Sequence, residues 1–124
     1  SSTLLTAKSV FETFRYLAEE KQEHFCAAYL DSKGALISRK TIHIGTINMS
    51  VVGAREVFRE AVRENAASLI VVHNHPSGDP TPSPEDYEVT RKLVEVGRLL
   101  DIPLLDHVVI GRDRYVSLHE EGAM

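Results

Sequence analysis

An apolar run, Ser68-Leu69-Ile70-Val71-Val72, leads directly into His73-Asn74-His75. Its β-branched residues and the absence of polar alternation describe a strand buried on both faces, the central strand of a sheet with cover on each side. A stiff loop rich in proline, glycine and serine follows, and Ser83-Pro84-Glu85-Asp86 then opens a helix. Side chains of a strand alternate faces with period two, so His73 and His75 point to the same side. Pro76 keeps His75 extended. A strand end, a rigid return and a helix start therefore bring two imidazoles and the Asp86 carboxylate to one place.

The remaining elements follow from periodicity. Residues 9–20 read as a helix with Val10, Phe11, Phe14, Leu17 and Ala18 on one stripe. Residues 23–30 read as a strand, 31–34 as a turn and 35–44 as its hairpin partner. Ile47, Met49 and Val51 alternate with polar residues over 45–52, which suits a short strand. A second helix starts at Gly53 and turns Ala54, Val57, Phe58, Ala61 and Val62 inward, ending near Asn65. A third runs over 84–100 with Val89, Leu93, Val96 and Leu100 as its stripe, and Pro103 bars its continuation. Residues 104–110 and 114–118 read as strands and 120–124 as a frayed tail. Helices interleaved with strands predict an α/β domain, a mixed sheet flanked by helices in layers.

Bulk properties narrow the function. The 124 residues fit one domain, and 43% hydrophobic with 26% charged residues is ordinary globular composition. No apolar run approaches the roughly 20 residues of a membrane span, and no leader pattern is present. Cys26 is the single cysteine, so an internal disulfide and a cysteine-rich zinc knuckle are excluded. Cys26 sits in an apolar run as a small buried hydrophobe. The expected location is the cytoplasm. The net charge of −4 and the scatter of Arg55, Arg59, Arg63, Arg91, Lys92, Arg98, Arg112 and Arg114 among acidic residues speak against a nucleic-acid surface.

Two histidines and one carboxylate make a catalytic-type zinc set, because the fourth tetrahedral position stays free for water. A carboxylate base must then come from elsewhere in the fold. Ser83, Pro84 and Asp86 equally describe a capping-box helix start, with serine at the cap and an acid three residues on. For Asp86 alone the two readings are even; with His73 and His75 beside it, metal ligation is favoured. Asp79 is a rival ligand, but Gly78-Asp79-Pro80 is an ordinary turn. Asp106 and His107 lie inside an apolar strand. Either could orient a zinc-bound imidazole, and the favoured reading is that both are satisfied buried polar groups. His24 and His43 have no evident partner, and Tyr115 is read as packing.

The spacing His73-x-His75, seven residues, Ser83, two residues, Asp86 resembles the JAMM motif of the MPN-domain metalloproteases. The wider text from His73 to Ser83, with Arg55-Glu56-Val57-Phe58 and Leu104-Leu105-Asp106-His107, is similar to the RadC branch of that family. The likeness extends from about Glu23 to Leu118. It implies a three-layer, cytidine-deaminase-like fold and a zinc ion held by His73, His75 and Asp86. It implies Ser83 as a hydrogen-bond donor to a developing oxyanion and Glu23 as the general base, with Glu19 and Glu20 as fallbacks. The activity so implied is a zinc-dependent metallopeptidase or isopeptidase that hydrolyses an amide bond with an activated water, its partner a peptide or isopeptide substrate.

Three other functions compete. One is a non-catalytic metal-binding interaction module, and another is an accessory DNA-repair role. RadC relatives carry a helix-hairpin-helix segment ahead of this domain, so residues 1–124 read as a single domain, the C-terminal part of a longer protein. A zinc deaminase is disfavoured, because the Pro-Cys-x-x-Cys and His-x-Glu ligand patterns are missing.

Overall fold

The computed structural model describes residues 3–124. Helix α1 (Ala7–Phe14) starts where Thr6 accepts the Ser9 N–H and the Ser9 hydroxyl accepts the Thr6 N–H. The helix begins earlier than its apolar stripe predicts, because serine replaces the usual Glu or Gln of a capping box and weakens the signal. It buries Ala7, Val10, Phe11 and Phe14, then tightens into a 3-10 turn over Arg15–Glu19. Strands β1 (His24–Leu30) and β2 (Leu36–Ile44) form the expected antiparallel hairpin. Helix α2 (Ala54–Arg63), β3 (Ser68–Asn74), α3 (Pro84–Leu100), β4 (Leu104–Ile110) and β5 (Tyr115–Ser117) follow.

The sheet order is β2-β1-β3-β4-β5. Only β3 and β4 run parallel, joined by α3; the other pairs are antiparallel. This is the mixed sheet, and β3, buried along its whole length, lies at its centre. Period-two alternation splits the core in two. Cys26, Ala28, Leu30, Ile70, Val72, Val108 and Ile110 meet Val10, Phe11, Phe14 and Leu17 on one face. Phe25, Ala27, Tyr29, Leu69 and Val71 meet Val57, Phe58, Ala61, Val89 and Leu93 on the other. Helix α1 thus covers one face and α2 with α3 the other, three layers in all. The Tyr29 hydroxyl donates to the Val57 carbonyl at 2.7 Å and ties α2 to the sheet.

Four sequence expectations are corrected. Residues 45–52 form turns, not a strand. The Val51 and Val52 N–H groups both bond to the Asn48 carbonyl, and the Asn48 side chain accepts the Ser50 N–H. Ile47 and Val52 are buried while Met49 and Val51 are exposed, so the alternation there was accidental. Val62 and Leu100 are exposed: Val62 lies just past the arc that α2 buries, and Leu100 is the last residue of α3, three beyond Gly97, the last it buries. The tail is held rather than frayed: the Ala123 N–H bonds to the Leu118 carbonyl at 2.9 Å, and Met124 rests on the α2/α3 side of the core.

Candidate metal centre

The site forms where β3 ends, β1 begins and α3 starts. His73, fully buried on β3, and His75, one residue past its end, place their Nε2 atoms 3.1 Å apart. Asp86, in the first turn of α3, sets Oδ1 3.2 Å from His73 Nε2 and Oδ2 3.1 Å from His75 Nε2. Glu23, the residue before β1, brings Oε1 to 3.8 Å from His73 Nε2. One ligand atom each from Glu23, His73 and His75 lies within 4.8 Å of the others. Glu23, His73 and His75 therefore form one cluster, and Asp86 touches both of its imidazoles.

Asp86 also caps its helix. Its Oδ2 accepts the Ser83 N–H at 2.8 Å, and the Ser83 hydroxyl oxygen accepts the Asp86 N–H at 3.1 Å. The two readings of Ser83 and Asp86 are compatible, since one carboxylate both closes the capping box and faces the histidines. The Ser83 hydroxyl acts there as an acceptor, which leaves its own proton available.

The donor atoms suit a cation. His75 Nδ1 lies 2.9 Å from the Asp79 carbonyl, which can only accept, so Nδ1 carries the proton and Nε2 of the neutral ring is a bare lone pair. That lone pair faces another imidazole nitrogen and a carboxylate. Ligand atoms around a tetrahedral zinc with bonds of ~2.0–2.1 Å stand roughly 3.3–3.4 Å apart. The observed spacings of 3.1–3.2 Å are close to that.

Electrostatics agree with an anionic pocket. Burial opposes ionisation of Asp86, yet the two imidazoles against its oxygens and the Ser83 N–H hold its carboxyl well below the usual range. Burial alone would lower the His75 imidazole. The Asp86 carboxylate beside the ring, the Asp79 carbonyl and the charge of Glu23 outweigh it, so the His75 imidazole takes up a proton more readily than a free one. A cavity of about 620 Å³ opens over the site, lined by Glu23, Ile47, Asn48, His75, Ser83 and Glu85 among others. A second cavity, about 380 Å³, lies between the end of α3 and β4, away from the cluster of metal-ligating groups.

Residues 4–123 match the family described as the RadC-like JAB domain. The chain belongs to that family. A UPF0758 protein of Geobacillus sp. strain WCH70 is 57% identical over 116 residues, covering 94% of this chain and 50% of the relative. UPF0758 proteins of Geobacillus thermodenitrificans and Bacillus velezensis are 55% and 56% identical over the same length. The chain spans about half the length of these curated relatives.

Within this RadC-like JAB domain, two side chains that support the site, those of Asn74 and Thr90, carried little signal in the sequence. Asn74 sits between the histidines and points to the opposite side. Its Oδ1 accepts the His24 N–H at 2.7 Å and its Nδ2 donates to the Gln22 carbonyl at 3.0 Å, which pins the backbone on either side of Glu23. The Gly45 N–H holds the Glu23 carbonyl at 2.8 Å. Thr90, one helical turn after Asp86, bonds to His107, and His107 bonds to His73. His107 is thus a satisfied buried polar group, and one of its two partners is His73. Burial, helped by the charge of His73, pushes its imidazole well below the ordinary value. Asp106 is satisfied as well: it accepts the His107 N–H, the Ser117 hydroxyl and the His119 N–H. His24 has partners too, with Nδ1 3.0 Å from the Gln22 carbonyl and Nε2 3.8 Å from Glu20. Tyr115 packs on Phe11, ring centroids 5.0 Å apart. Among the described residues no helix is long and apolar enough to cross a membrane.

Proposed function

We propose that this domain binds zinc through His73, His75 and Asp86 and uses the centre to hydrolyse an amide bond of a peptide or isopeptide. The observation that carries the proposal is the approach of the His73 and His75 Nε2 atoms to each other at 3.1 Å and to one Asp86 oxygen each at 3.2 and 3.1 Å, beside a second carboxylate, Glu23, and an open cavity. Zinc, when bound, supplies a Lewis acid and lowers the pKa of a bound water to near 7. The chain's own residues supply the rest. Glu23, partly exposed and 3.8 Å from His73, takes a proton from the attacking water and returns it to the leaving amine. Ser83, whose hydroxyl oxygen is anchored by the Asp86 N–H, donates its free proton to the developing oxyanion. Asn74 and the Gly45 N–H keep the Glu23 backbone within reach.

A second reading has its own support. Glu23 lies close enough to both histidines to serve as a ligand itself. Two histidines and two carboxylates would fill all four tetrahedral positions, the closed arrangement of a structural site. The domain would then be a metal-binding interaction module, and an accessory role in DNA repair would belong to the longer protein. Glu23→Gln separates the two. As a base, Glu23 is dispensable for zinc, so the variant keeps one equivalent of zinc and loses hydrolysis of a peptide and isopeptide library. As a ligand, its replacement weakens zinc binding, and neither form cuts anything.

A further inference from the structure

We infer that His107 and Thr90 are positioning residues that hold His73 in the tautomer able to ligate a metal. The inference rests on the metal-centre reading above and extends it to residues that touch no ion. Thr90, buried in α3, lies 2.8 Å from the Asp86 carbonyl and 2.6 Å from His107 Nδ1. A carbonyl can only accept, so the single hydroxyl proton of Thr90 goes to Asp86. The Thr90 oxygen must then accept from His107, which places the His107 proton on Nδ1. His107 Nε2 is left as a lone pair, 2.9 Å from His73 Nδ1. His73 therefore donates from Nδ1, and its Nε2 points bare at His75 and Asp86.

The opposite orientation is harmful. If His107 carried its proton on Nε2, His73 Nδ1 would accept it, and the His73 proton would sit on Nε2, where the ion must bind. Both rings are fully buried, and Phe25 stands edge-on to His107 with centroids 5.7 Å apart. No water is needed to complete the chain, since each polar atom in it has a protein partner. Metal-ligating histidines generally depend on such a partner at the other ring nitrogen, and its loss costs about 10–100-fold in metal affinity. Here the partner is a second histidine, whose orientation is set in turn by a hydroxyl one helical turn beyond Asp86. The same helix thus delivers one proposed ligand directly and fixes the tautomer of another.

The test uses Thr90→Val, which removes the hydroxyl at nearly constant shape, and Thr90→Ser, which restores it. Nitrogen-15 spectra of the metal-free protein report the tautomers of His73 and His107, and competition with a chromogenic chelator reports zinc affinity. Thermal melting of each metal-free variant confirms that it is folded. The expected result is protonated Nδ1 on both rings in the wild type and in Thr90→Ser. In Thr90→Val the rings shift to the Nε2 tautomer and zinc affinity falls about 10–100-fold. A wild-type His107 protonated on Nε2, or a Thr90→Val protein with unchanged tautomers, overturns the inference. So does an unchanged zinc affinity in Thr90→Val. A wild type that binds no zinc overturns the metal centre instead, while the tautomers of the metal-free protein still decide the relay.

Discussion

The Asp86 carboxylate closes the cap of α3 through Ser83 and faces both imidazoles, so its two duties can be separated by substitution. Asparagine at 86 retains an oxygen that can accept the Ser83 N–H but loses the charge. Alanine loses both. Removing a cap costs about 0.5–2 kcal/mol. Asp86→Asn is therefore expected to melt close to the wild type when metal-free, and Asp86→Ala lower. Both should lose zinc by more than the about 10–100-fold typical of an outer partner. Chelator competition and metal-free melting curves check the two effects independently. Normal zinc affinity in Asp86→Asn would remove Asp86 from the ligand set and leave Glu23 as the carboxylate.

The elements around the site were unevenly legible in the sequence. Helix α3 and strands β3 and β4 announced themselves, because a buried β-branched run, a Ser-Pro-x-Asp start and a stopping Pro103 are strong local signals. His73, His75, Ser83 and Asp86 were visible for the same reason, lying close together on those elements. Glu23 is brought in by the β1–β3 pairing, with Phe25 opposite His73, and no local pattern marks it. His107 was visible as one of two candidates to orient a zinc-bound imidazole, whereas Thr90 was hidden, since β4 register and one turn of α3 together decide their meeting. Residues 45–52 misled because their alternation of apolar and polar residues mimics a strand while Asn48 builds a turn.

Gly97 shows how a tertiary contact reverses a local preference in α3. Alanine in a helix interior is normally better than glycine by about 0.8–1 kcal/mol. A Cβ at 97, however, would stand 2.6 Å from the Ile102 carbonyl oxygen and 3.3 Å from Phe58. The Ile102 N–H already bonds to the Gly97 carbonyl at 2.9 Å, so that backbone has little room to move. Overpacking of this kind costs about 1–3 kcal/mol. Gly97→Ala should therefore lower the denaturant midpoint. A higher midpoint would mean that the turn after α3 yields and propensity wins.

Across the whole molecule, three layers leave one natural place for chemistry. In α/β sheets, ligands gather outside the carboxyl ends of the strands, where a helix starts its return. Here β3 ends at His73 and Asn74, α3 begins with Asp86 in its first turn, and the strand pairing of β1 carries Glu23 to the same edge. The sheet is thus the scaffold, and the proposed metal centre is the feature on which the hydrolase and metal-binding readings depend. The most direct measurement is metal analysis of protein purified without chelator, with X-ray absorption at the zinc edge, beside a His73→Ala/His75→Ala variant. The expected result is one zinc per wild-type chain, with two imidazole nitrogens and carboxylate oxygen at ~2.0–2.1 Å, and almost none in the variant. Equal, negligible zinc in both proteins would contradict the metal centre.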